Sequence, residues 1–287
     1  EVNVADVQHQ LDVPWVQAQT YWTIERREAL RNRAPARFID LVKSRRVDAM
    51  VSLANILEER FWQAPASSSD DLHPYGVPYW FPKLTTTAGE GFYGGSASGF
   101  TTTAGIDPAT ASENTPSISG GESKWRSYCA GSTGYYTALD ATAIKTLKKA
   151  WLKTHFQSPL LVQDLVEGPL SNFRLFMNAN TQVDYETLAE KQNENLGRDL
   201  APFNGVTAFR RAPVIYIAYL DADSTANPIY GINFNKFKVF VLDQDYLREG
   251  DAITDRPQHN VFTTFVDLSY AIVCINRQQS GFVVSIF

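Results

Sequence analysis

The 287-residue sequence is poor in the side chains that carry chemistry: it has 2 cysteines, 2 methionines and 4 histidines. Cys129 and Cys274 lie far apart, with no C-x-x-C and no Cys/His metal spacing. They allow at most one disulfide, and the reading is a pair of free thiols in a reducing compartment. His9, His73, His155 and His259 are isolated, and no H-E-x-x-H occurs, so the common zinc-site spacings are excluded. No run of about 18 apolar residues exists to form a membrane-spanning helix. No signal-peptide pattern opens the sequence, no Asn-x-Ser/Thr site occurs, and position 1 is Glu. An excess of basic charge is also missing. The 26 Lys and Arg against 31 Asp and Glu give a net charge of −5. This argues against a base-reading DNA binder, although not against a surface that merely faces DNA.

What is present suits a folded body with large contacts. A hydrophobic fraction of 44% and a charged fraction of 20% supply a sizeable core. Aromatic residues reach 13%, and large rings carry much of the energy of cores and of buried subunit contacts.

Residues 1–24 read as extended, one arm of a projecting hairpin, with Pro14 and scattered Gln and Asp opposing a helix. From Ala34 to Trp62 no glycine interrupts an apolar pattern of Phe38, Leu41, Val42, Met50, Val51, Ala54, Leu57 and Phe61. With Pro35 in its first turn this predicts one helix, roughly 40 Å long at 1.5 Å per residue. Residues 64–135 are dense in Gly, Ser, Thr and Pro, yet contain Trp80, Phe81, Phe92, Tyr93, Phe100 and Trp125. Disordered segments are poor in aromatics, so this stretch reads as ordered, irregular chain. Asp140 is set to cap a second helix over 138–156, and Asp184 to Leu200 reads as a third. Arg174 to Ala179 reads as a strand. Beyond it, 206–220, 229–242 and 261–276 are rich in Val, Ile, Phe, Tyr and Thr and are expected as long strands. The class is α+β.

Candidate chemistry is thin. Gly89, Gly91 and Gly94 match G-x-G-x-x-G, but no helix pattern follows, so the expectation is a flexible loop and not a nucleotide site. Cys129 with His155 has nothing to orient it as a nucleophile and base. Asp221, Asp223, Asp243 and Asp245 form two D-x-D pairs, expected in turns. Arg31, Arg33, Arg37, Lys43, Arg45 and Arg46 cluster near the start of the long helix. Two readings stand: a solvated face with Glu25, Glu28 and Asp40 as ion partners, or a surface directed at a DNA backbone. No catalytic, cofactor or metal site emerges, and the expectation is a protein that is not an enzyme.

The order of features resembles tailed-phage major capsid proteins of the Hong Kong 97-type fold. Val13 to Thr23 looks like the descending strand of that fold's extended loop, the E-loop. Glu28 to Asn32 with Phe38 to Lys43 resembles the approach to its spine helix, completed by Ala49 to Trp62. Gly94-Gly95, Gly105-Ile-Asp107 and Lys124-Trp-Arg126 resemble a stretch of one branch of these proteins. Gln192 to Gly197, Phe209 to Pro213 and Ile229 to Asn233 look like the axial domain. Gln258 to Phe287, with Cys274-Ile-Asn-Arg277, resembles the closing strand. The family places an arm and an ascending E-loop strand before the position of Glu1, which leaves cleavage, disorder or truncation open.

The resemblance implies a partial E-loop arm at 1–24, a peripheral domain at 25–138 and 256–287, and an axial domain at 139–255. It implies a shell subunit that partners itself in pentamers and hexamers, with portal, scaffold and decoration proteins as further partners and packaged double-stranded DNA touched non-specifically. No cofactor and no membrane are involved, and the location is the virion, assembled in bacterial cytoplasm. Val13, Trp15, Tyr21 and Trp22 would contact a neighbouring subunit. Asp221, Asp223, Asn227 and Pro228 would lie at capsomer centres, and Arg31, Arg33, Arg37, Arg45 and Arg46 would face DNA. Rivals are an encapsulin-type shell around a protein cargo and a carbohydrate-binding domain using the aromatic loop at 75–100. The second requires exposed aromatic rings.

Overall fold

The computed structural model describes residues 10–31, 35–83, 89–108, 125–131, 139–155, 172–192, 207–210, 212–223, 226–254 and 260–285. Two sheets organise them. The longest strand, β11 (Val261–Cys274), has the alternation of a half-buried strand. Thr264, Val266, Leu268, Tyr270, Ile272 and Cys274 are buried while their neighbours, except the buried Ala271, are more open. Along one edge β11 pairs antiparallel with β1 (Val16–Glu25), from Val16 opposite Tyr270 to Glu25 opposite Val261. Along its other edge it pairs in turn with β8 (Phe237–Val241), β9 (Arg248–Glu249) and β10 (Ile253–Thr254). Residues 16–25 of the expected projecting arm are thus held in a full ladder. Residues 1–9 lie outside the described ones.

The chain leaves β1 through α1 (Arg26–Arg31) into α2 (Pro35–Phe61). Proline suits the first turn because its missing N–H has no helical partner there. The 27 residues of α2 lie against β1 as one helix, but they bury Ala49 and Leu53, while Val51 and Ala54 of the expected apolar pattern are exposed.

The second sheet has seven strands in the order β2 (Glu90–Gly94), β3 (Ser127–Ala130), β12 (Gly281–Ser285), β7 (Pro228–Asn233), β4 (Phe173–Met177), β6 (Ala212–Tyr216) and β5 (Ala208–Phe209). Helices α4 (Ala141–Thr154) and α5 (Ala179–Gln192) pack on one face, over a core that includes Tyr128, Leu147, Phe173, Leu175 and Phe282. A second core joins the other side of this sheet to the first sheet, through Trp62, Trp80, Phe81, Cys129, Tyr230, Leu268 and Ile272. Fully burying a large apolar side chain contributes about 1.5–3 kcal/mol, so these two clusters supply the main driving force.

The irregular stretch after α2 is ordered where it is described, and a buried cation holds it. Arg277, in the short helix α6 (Arg277–Ser280), is fully buried. It donates to the carbonyls of Trp80 at 3.0 Å, Trp125 at 2.8 Å and Gly95 at 2.8 Å, and to Thr103 Oγ1 at 3.3 Å. Upstream, α3 (Val77–Trp80) buries Val77, Tyr79 and Trp80.

Several expectations are corrected. The glycine-rich motif is a strand, not a flexible loop: β2 pairs with β3, and a Cβ on Gly94 would sit 2.0 Å from Ser127 Oγ. The glycine is there for close strand approach. Residues 206–220 do not form one strand, because Arg210 adopts φ +48° between β5 and β6 and a 3-10 turn occupies Ala218–Ala222. Residues 229–242 are also divided. Asn233 Oδ1 accepts from Asn235 N at 3.1 Å, an Asx turn that sends β7 and β8 into different sheets. Helix α5 begins at Ala179, five positions before the expected Asp184, because Asn178 Oδ1 accepts from Thr181 N at 2.9 Å. Residues 193–200 lie outside the described ones. Asp140 caps α4 as expected, accepting from Ala143 N at 2.8 Å.

Candidate subunit-contact surface

The first sheet ends in strands that pair on one side only. β1 and β8 each pair only with β11 among the described residues. On β8 successive residues point to opposite faces, yet Val239, Phe240 and Val241 are 50%, 46% and 38% exposed. Beyond the buried Phe237, neither face of that strand is covered. Leu242, Tyr246 and Ile253 continue the exposed apolar surface. On the opposite edge Trp15 is 53% and Tyr21 63% exposed, and the Tyr21 ring lies 6.0 Å from that of Phe265. Open edges lined with apolar side chains are templates for another chain, and soluble monomers blunt them with charge, proline or bulges.

The expected contact residues divide. Trp15 and Tyr21 are open, Val13 packs against the second core, and Trp22 is half-buried with no partner for its indole N–H. Trp22 lines a groove of about 440 Å³ between β1 and α2, together with Thr20, Glu28, Arg45, Asp48 and Ser52.

The loop expected at a capsomer centre is held within the chain. Asp221 accepts from Tyr216 Oη at 2.5 Å and from Ala179 N at 3.0 Å, and these donors hold its carboxyl below the usual range. Asp223 pairs with Lys83. Asn227 accepts from Asn178 Nδ2 at 2.5 Å, and both it and Pro228 are buried in the monomer, so the outward part of this loop is Asp221 and not those two. Asp245 receives Ser269 Oγ and pairs with Arg248 at 3.8 Å. Asp221, Asp223 and Asp245 are thus held by donors and cations of this chain, and no metal-binding cluster occurs among the described residues.

Of the clustered arginines, Arg33 lies outside the described residues, and only the backbone of Arg31 and Arg37 is described, in α1 and α2. Arg45 donates to Thr23 O and pairs with Glu28 at 2.7 Å. Arg46 pairs with Glu249 of β9 at 2.5 Å. Glu28 is thus an ion partner as the solvated-face reading expects, while Glu249 could not be inferred without the fold.

Among the described rings of the aromatic loop, Tyr79, Trp80, Phe81 and Phe92 are at most 1% exposed, and Tyr75 and Phe100 are partly buried. Its acidic residue, Glu90, is bound by Lys149 and by Thr146 Oγ1 at 2.8 Å. Cys129 and Cys274 are buried free thiols, and burial pushes the Cys274 thiol up to about 11. His155 stacks on Trp151 at 4.0 Å in the first core, whereas Cys129 belongs to the second. No described helix is long and apolar enough to cross a membrane.

No protein-family model matches the sequence, and no curated protein matches it. Solved structures do. The capsid asymmetric unit of cyanophage A-1(L) aligns with a TM-score of 0.55 and 15% identity, over 94% of this chain and 76% of that one. The chain has a phage capsid fold. The capsid of a native GTA particle aligns at 0.49 and 11% identity, over 99% of this chain and 79% of that one. The capsid of Myoviridae phage XM1 aligns at 0.46 and 11%, over 96% and 74%. At these identities the likeness is one of backbone. In this chain the fold comprises a long helix beside β1, a sheet with open apolar edges, and a second sheet under α4 and α5.

Proposed function

We propose that this chain is the major capsid protein of a tailed double-stranded DNA phage, of the Hong Kong 97 type, and that it self-assembles into an icosahedral shell around the genome. The observation that carries the reading is the capsid fold over 94% of the chain, combined with apolar, one-sided strands at both edges of the first sheet. A shell closes when different patches of one subunit meet head to tail around symmetry axes. Modest contacts suffice, because multivalency holds the whole.

In this reading residues 25–138 and 256–287 are the peripheral domain, 139–255 the axial domain and 1–24 part of the E-loop. Sheet pairing crosses the boundary between the peripheral and axial domains: β8, β9 and β10 pair with β11, and β12 pairs with β7. Trp15 and Tyr21 meet a neighbour, with Val13 and Trp22 seating the strand beneath them, and the loop around Asp221 and Asp223 lies near capsomer centres. Arg31, Arg33, Arg37, Arg45 and Arg46 face DNA. Portal, scaffold and decoration proteins complete a virion assembled in the bacterial cytoplasm.

The test is to express the chain in bacteria, isolate particles by density and treat them with nuclease. Closed shells by electron microscopy, with protected DNA when the packaging proteins are supplied, support the reading. Shells that hold only a protein cargo contradict its genome-enclosing part. Trp15→Ala with Trp22→Ala is expected to lower shell yield, and unchanged yield and thermal stability would remove the E-loop assignment. Charge reversal of Arg45 and Arg46 is expected to lower DNA retention while leaving empty shells. An equal fall in both would make those arginines structural.

A further inference from the structure

Helix α4 has one strongly basic side. Its sequence, ATAIKTLKKAWLKT, contains no Asp or Glu. Ala143, Ile144, Thr146, Leu147, Ala150 and Thr154 are buried against the second sheet. At about 100° per residue, Lys145, Lys148, Lys149 and Lys153 fall on the opposite side, around the 61% exposed Leu152. The chain as a whole is acidic, so the concentration of positive charge is local.

The described residues neutralise little of this charge. Glu90 binds Lys149. Burial alone would raise the Glu90 carboxyl, but donation from Lys149 and Thr146 holds it below its ordinary value. Lys153 lies 5.6 Å from the Tyr128 ring centre and 5.9 Å from that of Phe92, anchored over aromatic faces. Lys145 and Lys148 are exposed and have no carboxylate partner among the described residues. The contrast is with Arg45 and Arg46 of α2, which already hold carboxylates of this chain.

We propose that the lysine side of α4 binds the phosphate backbone of double-stranded DNA. The proposal rests on the shell reading, which supplies the ligand. Residues four apart stand about 6 Å apart along a helix, so Lys145, Lys149 and Lys153 form a row of like charge. A duplex presents about one negative charge per 1.7 Å of axis, a target that such a row meets in many registers and without base contacts. With Glu90 offsetting one lysine, about three charges remain per subunit. Affinity then falls roughly 40-fold between about 50 and 200 mM salt, since the slope is about −0.9 per neutralised phosphate. Repetition across a shell multiplies the effect.

The test uses full-length protein and a fluorescein-labelled, mixed-sequence duplex of about 30 base pairs, with anisotropy titrations across salt concentrations. Lys145→Gln with Lys148→Gln removes the two partnerless charges and leaves the Glu90 and aromatic contacts. The expected result is a log K against log salt slope shallower by about 1.8, with the unfolding temperature unchanged. An unchanged slope overturns the proposal. So does an unchanged slope with lost shell yield, which would assign the face to an acidic patch on a second copy. Shell formation is scored separately by electron microscopy. If no shells form but the slope shifts, the shell reading fails while the binding face stands.

Discussion

Arg277 donates from Nη2 to the Gly95 carbonyl at 2.8 Å, joining residues 182 positions apart. The guanidinium is fully buried and meets carbonyls and a hydroxyl, with no carboxylate partner among the described residues. Burial pulls its pKa down to about 10, so it remains charged near neutral pH. A planar fork of five N–H donors can serve several carbonyls at once, whereas the three donors of lysine diverge from one point. Arg277→Ala leaves buried carbonyls unsatisfied, each costing about 1–3 kcal/mol. The expected loss is at least about 3 kcal/mol in denaturant unfolding, with new protease cleavage between 95 and 108. Arg277→Lys is expected to recover only part. A loss under about 1 kcal/mol for the alanine variant would show that the clasp is not what orders the segment.

The open edge of β8 separates assembly from folding. Phe240→Lys with Leu242→Lys places charge on side chains that are 46% and 48% exposed in the monomer. Substitutions at such positions usually change stability by less than about 1 kcal/mol. Shell yield is expected to collapse while the unfolding midpoint of the dissociated subunit holds. Equal losses in both would make the strand part of the subunit's own core.

His155 gives the fold an acid-sensitive point. Burial among Trp151 and Phe173 depresses its pKa below the ordinary 6.5, and Arg210 and Lys236 act in the same direction. Nδ1 lies 2.7 Å from Trp151 O, and Nε2 is buried without a partner among the described residues. The neutral ring therefore donates from Nδ1, and a second proton would face no acceptor. The unfolded chain takes up the proton first, so stability falls as pH drops through about 6.5 and keeps falling until the folded value is passed. Unfolding midpoints measured from pH 7 to 5 are expected to drop less for His155→Phe, which keeps the ring stack but cannot titrate. Equal slopes would remove His155 from the acid response.

Adjacent glycines offer an internal control. A Cβ on Gly94 would meet Ser127 Oγ at 2.0 Å, while one on Gly95 meets nothing within 4 Å. Gly94→Ala is expected to cost about 1–3 kcal/mol through forced separation of β2 and β3, and Gly95→Ala less than about 0.5. Similar costs at both positions would contradict the close strand approach.

The elements with long periodic patterns were legible in the sequence. α2 needs only its glycine-free apolar spacing and Pro35, and β11 needs only its alternation. The Asp140 cap and the buried aromatics of the irregular stretch follow from side-chain chemistry alone. The breaks were harder to read. At Asn233 to Lys236 a local Asx turn overrides a continuous run of strand formers, and at Arg210 the backbone turns at a residue with no distinctive turn signal. Arg277 was legible only as part of a short resemblance, because its partners lie up to 197 positions away. The contact surface was half legible. Trp15 and Tyr21 are open as expected, but the exposure of β8 depends on which strands leave its edge unpaired, a property of topology.

The most direct test of the shell reading is the particle mass of purified full-length protein by light scattering, across several salt and protein concentrations. The prediction is a monodisperse population of megadalton mass, many multiples of the 32.1 kDa chain. A single species near 32.1 kDa under every condition would contradict it.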